Sequence, residues 1–292
     1  MNDNDVLHRF LFDHSDVRGE VVTLTDSYQE VLTNNEHPPA VQRLLGEFLA
    51  AASLLSSTLK FDGLISIQAR GDGPVAMIMA ECSRHRDLRG IARLNPDASI
   101  DLAPEENLQT LLGEGVIAIT IEPEKGQRYQ GLVPMEEDSL SGCLEHYFYQ
   151  SEQLKTRLWF AANERAVAGF LLQALPRQLH ADEEENQDRW ETLSALSDTL
   201  SPEEMLGLDH ETLLHRLFHE QPLRVFEPAP LRFFCSCSRE RSAGALLSLG
   251  RDDVELLLVE RGSVDIDCQF CNRHYHFDAA EVRALIGGET LH

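Results

Sequence analysis

The sequence predicts an α+β fold in three parts: an N-terminal domain of antiparallel sheets packed around a buried helix, an acidic helical linker, and a small C-terminal domain organised by cysteines. Three observations carry that prediction. Short runs rich in β-branched residues, bounded by turn chemistry, recur through residues 1–178 without regular alternation with helices. One segment of helical length among them is apolar on nearly every face. Four of the six cysteines crowd into the last fifth of the chain, in "FFCSCSRE" and "CQFC".

Within 1–178 the expected strands are "GEVVTLT" (19–25), "LISIQAR" (64–70), "VAMIMAEC" (75–82), "VIAITIE" (116–122), "YQGLVP" (129–134), "TRLWFAA" (156–162) and "GFLLQAL" (169–175). "RGDGP" (70–74) joins two of them with the glycine and aspartate chemistry of a hairpin turn. Between strands, "PPAVQRLLGEFLAAASLLSSTLK" (38–60) opens with Pro39, whose fixed φ and missing N–H suit a first helical turn. A helix apolar all round is buried, so sheet is expected on both sides of it. A second helix is expected over "DSLSGCLEHYFYQSEQ" (138–153).

The composition shifts in the linker, 179–230. Residues 181–220 hold twelve acids and two arginines, a net −10 in forty residues. The segment is nonetheless patterned. Trp190, Leu193, Leu196 and Leu200 fall at helical spacing, as do Leu213, Leu214, Leu217 and Phe218. Ser201, Pro202 and Glu204 read as an N-cap, a first-turn proline and a capping-box partner. Short amphipathic helices of one charge sign are marginal alone and are held by docking their apolar faces. The pattern fits a helical linker with a solvated acidic face, and it fits a conditionally folded segment.

The net charge of −24 over 292 residues argues against nucleic acid or an anionic membrane as partner, because holding phosphates needs a concentrated basic patch. Residues 232–292 carry seven arginines and no lysine against ten acids, so the cysteine region has no such patch. The acidic start "MNDNDVLHRFLFDHSDVRGE" lacks an apolar run, and "FLAAASLL" is too short to span a bilayer. A cytoplasmic location is expected, where clustered cysteines bind metal or do redox work rather than form permanent disulfides.

The C-terminal domain, 231–292, is expected to begin with a strand at "FFCSCS" and continue in a mostly helical segment over 239–262. Val264, Ile266 and Cys268 then alternate into a knuckle, a return strand carries Tyr275 and Phe277, and Asp278 caps a last short helix. Tetrahedral zinc with Zn–S near 2.3 Å needs sulfurs about 3.8 Å apart. The two-residue gap between Cys268 and Cys271 lets the chain fold round an ion, and Cys235 and Cys237 point to the same side of an extended chain. The four are therefore the expected ligands of one zinc ion in a small zinc-binding domain whose thin core needs such a staple. An iron–sulfur cluster or two unmetallated dithiols are the other arrangements this set admits. His274 and His276, with four thiols already available, read as exposed strand residues; Cys82 and Cys143 read as packed small hydrophobes.

Four thiolates would fill every position of a zinc ion, leaving no water to be activated, so the set argues against a zinc hydrolase. The site is then either a static clip or a switch. Zinc keeps the thiols deprotonated, the form oxidants attack, and structural zinc supplies on the order of 10–16 kcal/mol of folding free energy. Losing it should unfold the domain and whatever leans on it. Elsewhere the chain has no P-loop, no dinucleotide-binding glycine motif after a strand and no nucleophile elbow, and His215 and His219 in "HRLFHE" suit a surface helix face. No catalytic residue is assigned, and the protein is not expected to be an enzyme.

The stretches "CSC", "CQFC" and "DIDCQFCNRHYHF" resemble the zinc-centred switch of the bacterial 33 kDa heat shock protein family, the redox-regulated holdase chaperones. The resemblance extends through "KFDGLISIQARGDGPVAMIMAE", "LRGIAR" (88–93) and "SEQ" (151–153) to the acidic linker, essentially the whole chain. It implies a cytoplasmic, ATP-independent chaperone that is off when reduced and zinc-bound, with Cys235, Cys237, Cys268 and Cys271 as ligands. It implies that oxidation pairs Cys235 with Cys237 and Cys268 with Cys271, that the linker then loses structure, and that the active form is a homodimer holding unfolded client proteins. A zinc-ribbon module binding protein or RNA through a static zinc is the competing reading, and a thiol–disulfide oxidoreductase a third; the first lacks a basic face and the second a thioredoxin-like pattern.

Overall fold

The computed structural model describes residues 3–13, 15–34, 36–57, 62–96, 103, 106–176 and 183–287. Packing divides the chain into two units, Met1–Phe234 and Cys235–His292. The first unit begins with β1 (Val6–Phe12), β2 (Val17–Leu24), α1 (Asp26–Thr33), α2 (Pro39–Ser56), β3 (Gly63–Gly71), β4 (Val75–Ser83), β5 (Asp87–Leu94) and α3 (Leu108–Leu112). It continues with β6 (Gly115–Pro123), β7 (Tyr129–Pro134), α4 (Leu140–Gln150), β8 (Thr156–Ala162), β9 (Val167–Ala174), α5 (Glu183–Ser197), α6 (Pro202–Gly207), α7 (His210–Phe218), β10 (Leu223–Val225), β11 (Ala229–Pro230) and β12 (Arg232–Phe233). The second holds α8 (Arg239–Ser248), α9 (Arg251–Arg261), β13 (Ser263–Asp267), β14 (His274–Asp278) and α10 (Ala279–Gly287).

One sheet of the first unit runs β10-β1-β2-β9-β8, with β11 also beside β1; the other runs β12-β5-β4-β3-β6-β7. All these pairings are antiparallel except that of β12 with β5. Helix α2 lies between the sheets, as its all-round apolarity demands, with Leu45, Phe48, Leu49 and Leu54 fully buried. Two glycines let it approach from opposite sides. A Cβ on Gly90 of β5 would stand 3.0 Å from Leu49 Cδ2, and one on Gly169 of β9 would stand 3.0 Å from Leu54 Cδ1. The C-terminal part of the predicted helix, residues 58–60, lies outside the described residues.

A second apolar layer covers the opposite face of the first sheet. Phe10, Phe12, Val17, Val21, Phe170 and Leu172 meet Leu193 of α5, Met205 of α6 and Leu213, Leu214, Leu217 and Phe218 of α7. The acidic segment therefore turns its few apolar side chains onto the sheet. Its caps are those the sequence implies: Ser201 Oγ accepts from the Glu204 N–H at 3.2 Å and Glu204 Oε2 from the Ser201 N–H at 3.1 Å.

Some elements depart from expectation. Residues 6–12 form β1, between β2 and the short β10 and β11, although His8 and Arg9 interrupt the apolar alternation; Leu7 joins the inner layer and Phe10 and Phe12 the outer one, so neither face reads cleanly. The strand expected at "FFCSCS" shrinks to Arg232–Phe233, and both cysteines follow on irregular backbone. The helical segment 239–262 breaks at Gly250, whose φ of 96° suits only glycine, into α8 and α9. The second unit's core is thin: Ala243, Leu246, Val254, Leu258, Val264, Tyr275, Phe277 and Val282.

Candidate metal centre

The four cysteines come from two local devices. Cys268 and Cys271 sit in the knuckle between β13 and β14, whose last paired residues are Asp267 and His274. The Cys268 N–H donates to the Arg273 carbonyl at 3.0 Å and the Asn272 N–H to the Cys268 carbonyl at 2.7 Å. Asn272 takes the left-handed conformation (φ 53°) that closes so tight a turn. Cys235 and Cys237 lie just before α8. Ser238 caps that helix, its Oγ accepting from the Arg241 N–H at 3.2 Å, while Arg241 reaches back to the Ser236 carbonyl at 3.1 Å.

These devices bring the thiols together. Cys235 Sγ lies 3.5 Å from Cys268 Sγ and Cys237 Sγ 3.4 Å from Cys271 Sγ, and all four sulfurs fall within 4.8 Å of one another. A tetrahedral Zn–S shell has sulfur–sulfur edges of about 3.8 Å, so the donor set, its number and its spacing fit a zinc-class ion. Each cysteine is half-buried. Desolvation pushes the Cys271 thiol up to about 12 and raises Cys235 as well. At Cys237 desolvation works the same way, but the Tyr275 hydroxyl, donating to its sulfur at 3.1 Å, and the neighbouring thiols outweigh it and hold Cys237 down at about 7. Cys237 is therefore favoured over Cys235 and Cys271 as a thiolate. Sequence reading treated Tyr275 only as a strand residue; its value as a sulfur donor depends on the hairpin register.

His274 and His276 do not join this set. They alternate with Tyr275 and Phe277 along β14, and their Nδ1 atoms lie 2.8 Å from Asp267 Oδ1 and 2.7 Å from Asp265 Oδ1 on the exposed side. Cys82 and Cys143 are buried in the first unit's core, and burial pushes Cys82 up to about 11. His215 and His219 lie on or beside α7 with ring centroids 5.9 Å apart. Among the described residues no helix is long and apolar enough to cross a membrane.

The chain matches the family model described as Hsp33 protein over residues 5–278. It is 52% identical to the 33 kDa chaperonin of Pseudomonas fluorescens (strain SBW25) over 290 residues, 99% of this chain and 96% of that relative. It is 53% identical to the 33 kDa chaperonin of Azotobacter vinelandii (strain DJ) over 289 residues, again 99% and 96%. The crystal structure of the 33 kDa chaperonin from Thermotoga maritima shares its fold, with a TM-score of 0.82, 22% identity and coverage of 97% of this chain and 98% of that one. On this whole-length agreement the chain belongs to the Hsp33 family, a family of chaperones.

Proposed function

We propose that this protein is a redox-regulated, ATP-independent holdase without enzymatic activity, working in the cytoplasm on unfolded client proteins. The observation that supports it best is the convergence of four thiols within 4.8 Å in a small unit of its own. Cys235, Cys237, Cys268 and Cys271 hold one zinc ion when reduced, and the bound cation keeps the thiols as thiolates and supplies folding free energy.

Peroxide is the oxidant we assign. The Cys235 and Cys237 thiolates give up two electrons as their S–S bond forms, the peroxide O–O bond breaks, and its two oxygens take two protons from solvent and leave as water; the Cys268–Cys271 pair does the same with a second peroxide. Sulfurs bonded to each other are poor ligands, so the chain releases its metal and the thin core of residues 235–292 loses its staple. The acidic segment then opens, uncovering the aromatic and aliphatic face of Phe10, Phe12, Val21 and Phe170 together with its own leucines. Both surfaces are apolar enough to hold clients, and the active form is a homodimer.

One sample tests this. Zinc content, free thiols and suppression of client aggregation are measured before and after peroxide with mild heat. Loss of one zinc and four thiols with a gain of activity is expected. Oxidised, zinc-free protein that still fails to suppress aggregation refutes the holdase, and retained zinc leaves a static clip in its place.

A further inference from the structure

Within the first unit, three side chains unassigned by the sequence meet at the start of α7. His8 Nδ1 on β1 lies 2.7 Å from Nδ1 of His210, the first residue of the helix, with the rings nearly perpendicular at 83°. His210 Nε2 lies 2.9 Å from Thr23 Oγ1 on β2, and Asp3 Oδ2 accepts the His210 backbone N–H at 2.6 Å. One ligand atom from each of Asp3, His8 and His210 lies within 4.8 Å of the others.

We propose that Asp3, His8 and His210 form a divalent transition-metal site, of the zinc, cobalt or nickel class, that fastens the first turn of α7 to β1. A hydrogen-bonded histidine pair needs only two residues; here a carboxylate completes a two-histidine, one-carboxylate set, the donor type such ions take. The support around it is that of a ligand. When His210 ligates through Nδ1, its Nε2–H donates to Thr23 Oγ1, which fixes both tautomer and ring orientation. His8 frees its own Nδ1 by carrying its proton on Nε2, a tautomer change with no net proton release. The two nitrogens need only move apart, from 2.7 Å to about 3.3 Å, to accept an ion at Zn–N near 2.1 Å. The strongly negative chain favours a dication over an anion.

The site does not depend on the redox reading, and the experiment keeps them apart. Reduced full-length protein, its cysteines loaded with one equivalent of zinc, is titrated with cobalt(II) under anaerobic conditions. A second equivalent should bind with weak visible bands, lacking the intense sulfur-to-cobalt charge transfer of a thiolate site, and should slow amide exchange in α7. His8→Gln and His210→Asn should each weaken it about tenfold or more, and Thr23→Val, which leaves all three ligands, by about 10–100-fold. Paired His274→Gln and His276→Gln changes on the hairpin should leave it unaltered. Retained zinc stoichiometry and circular dichroism verify the fold; if His210→Asn misfolds, His8→Gln and Thr23→Val carry the same comparison. No second equivalent, affinity unchanged in the His8 and Thr23 variants, or loss through the hairpin changes overturns the proposal.

Discussion

Mild acid should loosen α7 from the first sheet, and His210 sets the amount. Its ring is 2% exposed. Burial pushes it from 6.5 to about 4; Asp3 opposes that shift, His8 adds to it, and Asp209 again opposes. Because the folded-state value lies below the unfolded one, the unfolded chain binds more protons between pH 6.5 and 4. The neutral ring's contribution is therefore whole above pH 6.5 and disappears as pH falls toward 4. A displacement from 6.5 to about 4 is worth about 3 kcal/mol in full, of which about 2 kcal/mol is gone by pH 5. Urea unfolding followed by tryptophan fluorescence reads it, since Trp159 and Trp190, the chain's only two, both pack in the layer that α7 closes. The quantity to compare is the stability gap between the native protein and His210→Asn at pH 7.5 and at pH 5. Buried Glu20, whose carboxyl burial pushes up, acts with the opposite sign, but it is common to both proteins and cancels. The gap should shrink by about 2 kcal/mol on acidification. A gap of equal size at both pH values refutes the reasoning.

Other perturbations probe the same architecture. Phe218 is 2% exposed and its ring meets Phe12 edge-on at 4.9 Å, so Phe218→Ala should cost about 3–5 kcal/mol in the outer layer; on the proposed mechanism it should also give aggregation suppression without oxidant, and a fully quiescent reduced variant counts against that link. A Cβ on Gly19 would fall 2.0 Å from Phe10 Cζ, so Gly19→Ala should destabilise by about 1–3 kcal/mol, read as a lower urea midpoint. After metal chelation a thiol reagent should titrate four cysteines natively and six only in denaturant, because Cys82 and Cys143 are buried; rapid labelling of Cys82 would show that its core opens.

How far the sequence could be read depended on whether the signal was local. Pro39 and a segment after it that is apolar on nearly every face were enough to place a helix between two sheets, because each face of that helix needs cover. Ser201, Pro202 and Glu204 specify a helix start within four residues. β1 has no clean alternation to read, because Leu7 serves the inner layer, Phe10 and Phe12 the outer one, and His8 and Arg9 fall between them. The cysteine pairs are legible one at a time; that their sulfurs meet follows from the hairpin register and from Gly250 turning α8 away from α9. The Asp3, His8 and His210 cluster had no local signal, its histidines being 202 residues apart in sequence.

The two apolar layers of the first unit differ in how they would fail. The inner one is built on α2, whose Leu45, Phe48, Leu49 and Leu54 are sealed between two sheets, so nothing there can leave without opening both. The outer one is closed by three helices whose buried apolar residues are few: Leu193 on α5, Met205 on α6, and four consecutive-turn side chains on α7. Residues 181–220 around them carry a net −10, so mutual repulsion opposes the docked state throughout. On the proposed mechanism, a segment so arranged is the one expected to open by local unfolding, at a free energy below that of the whole unit and with the inner core left intact. Under that mechanism, the asymmetry would let the Phe10, Phe12 and Phe170 face be uncovered without loss of the scaffold that displays it.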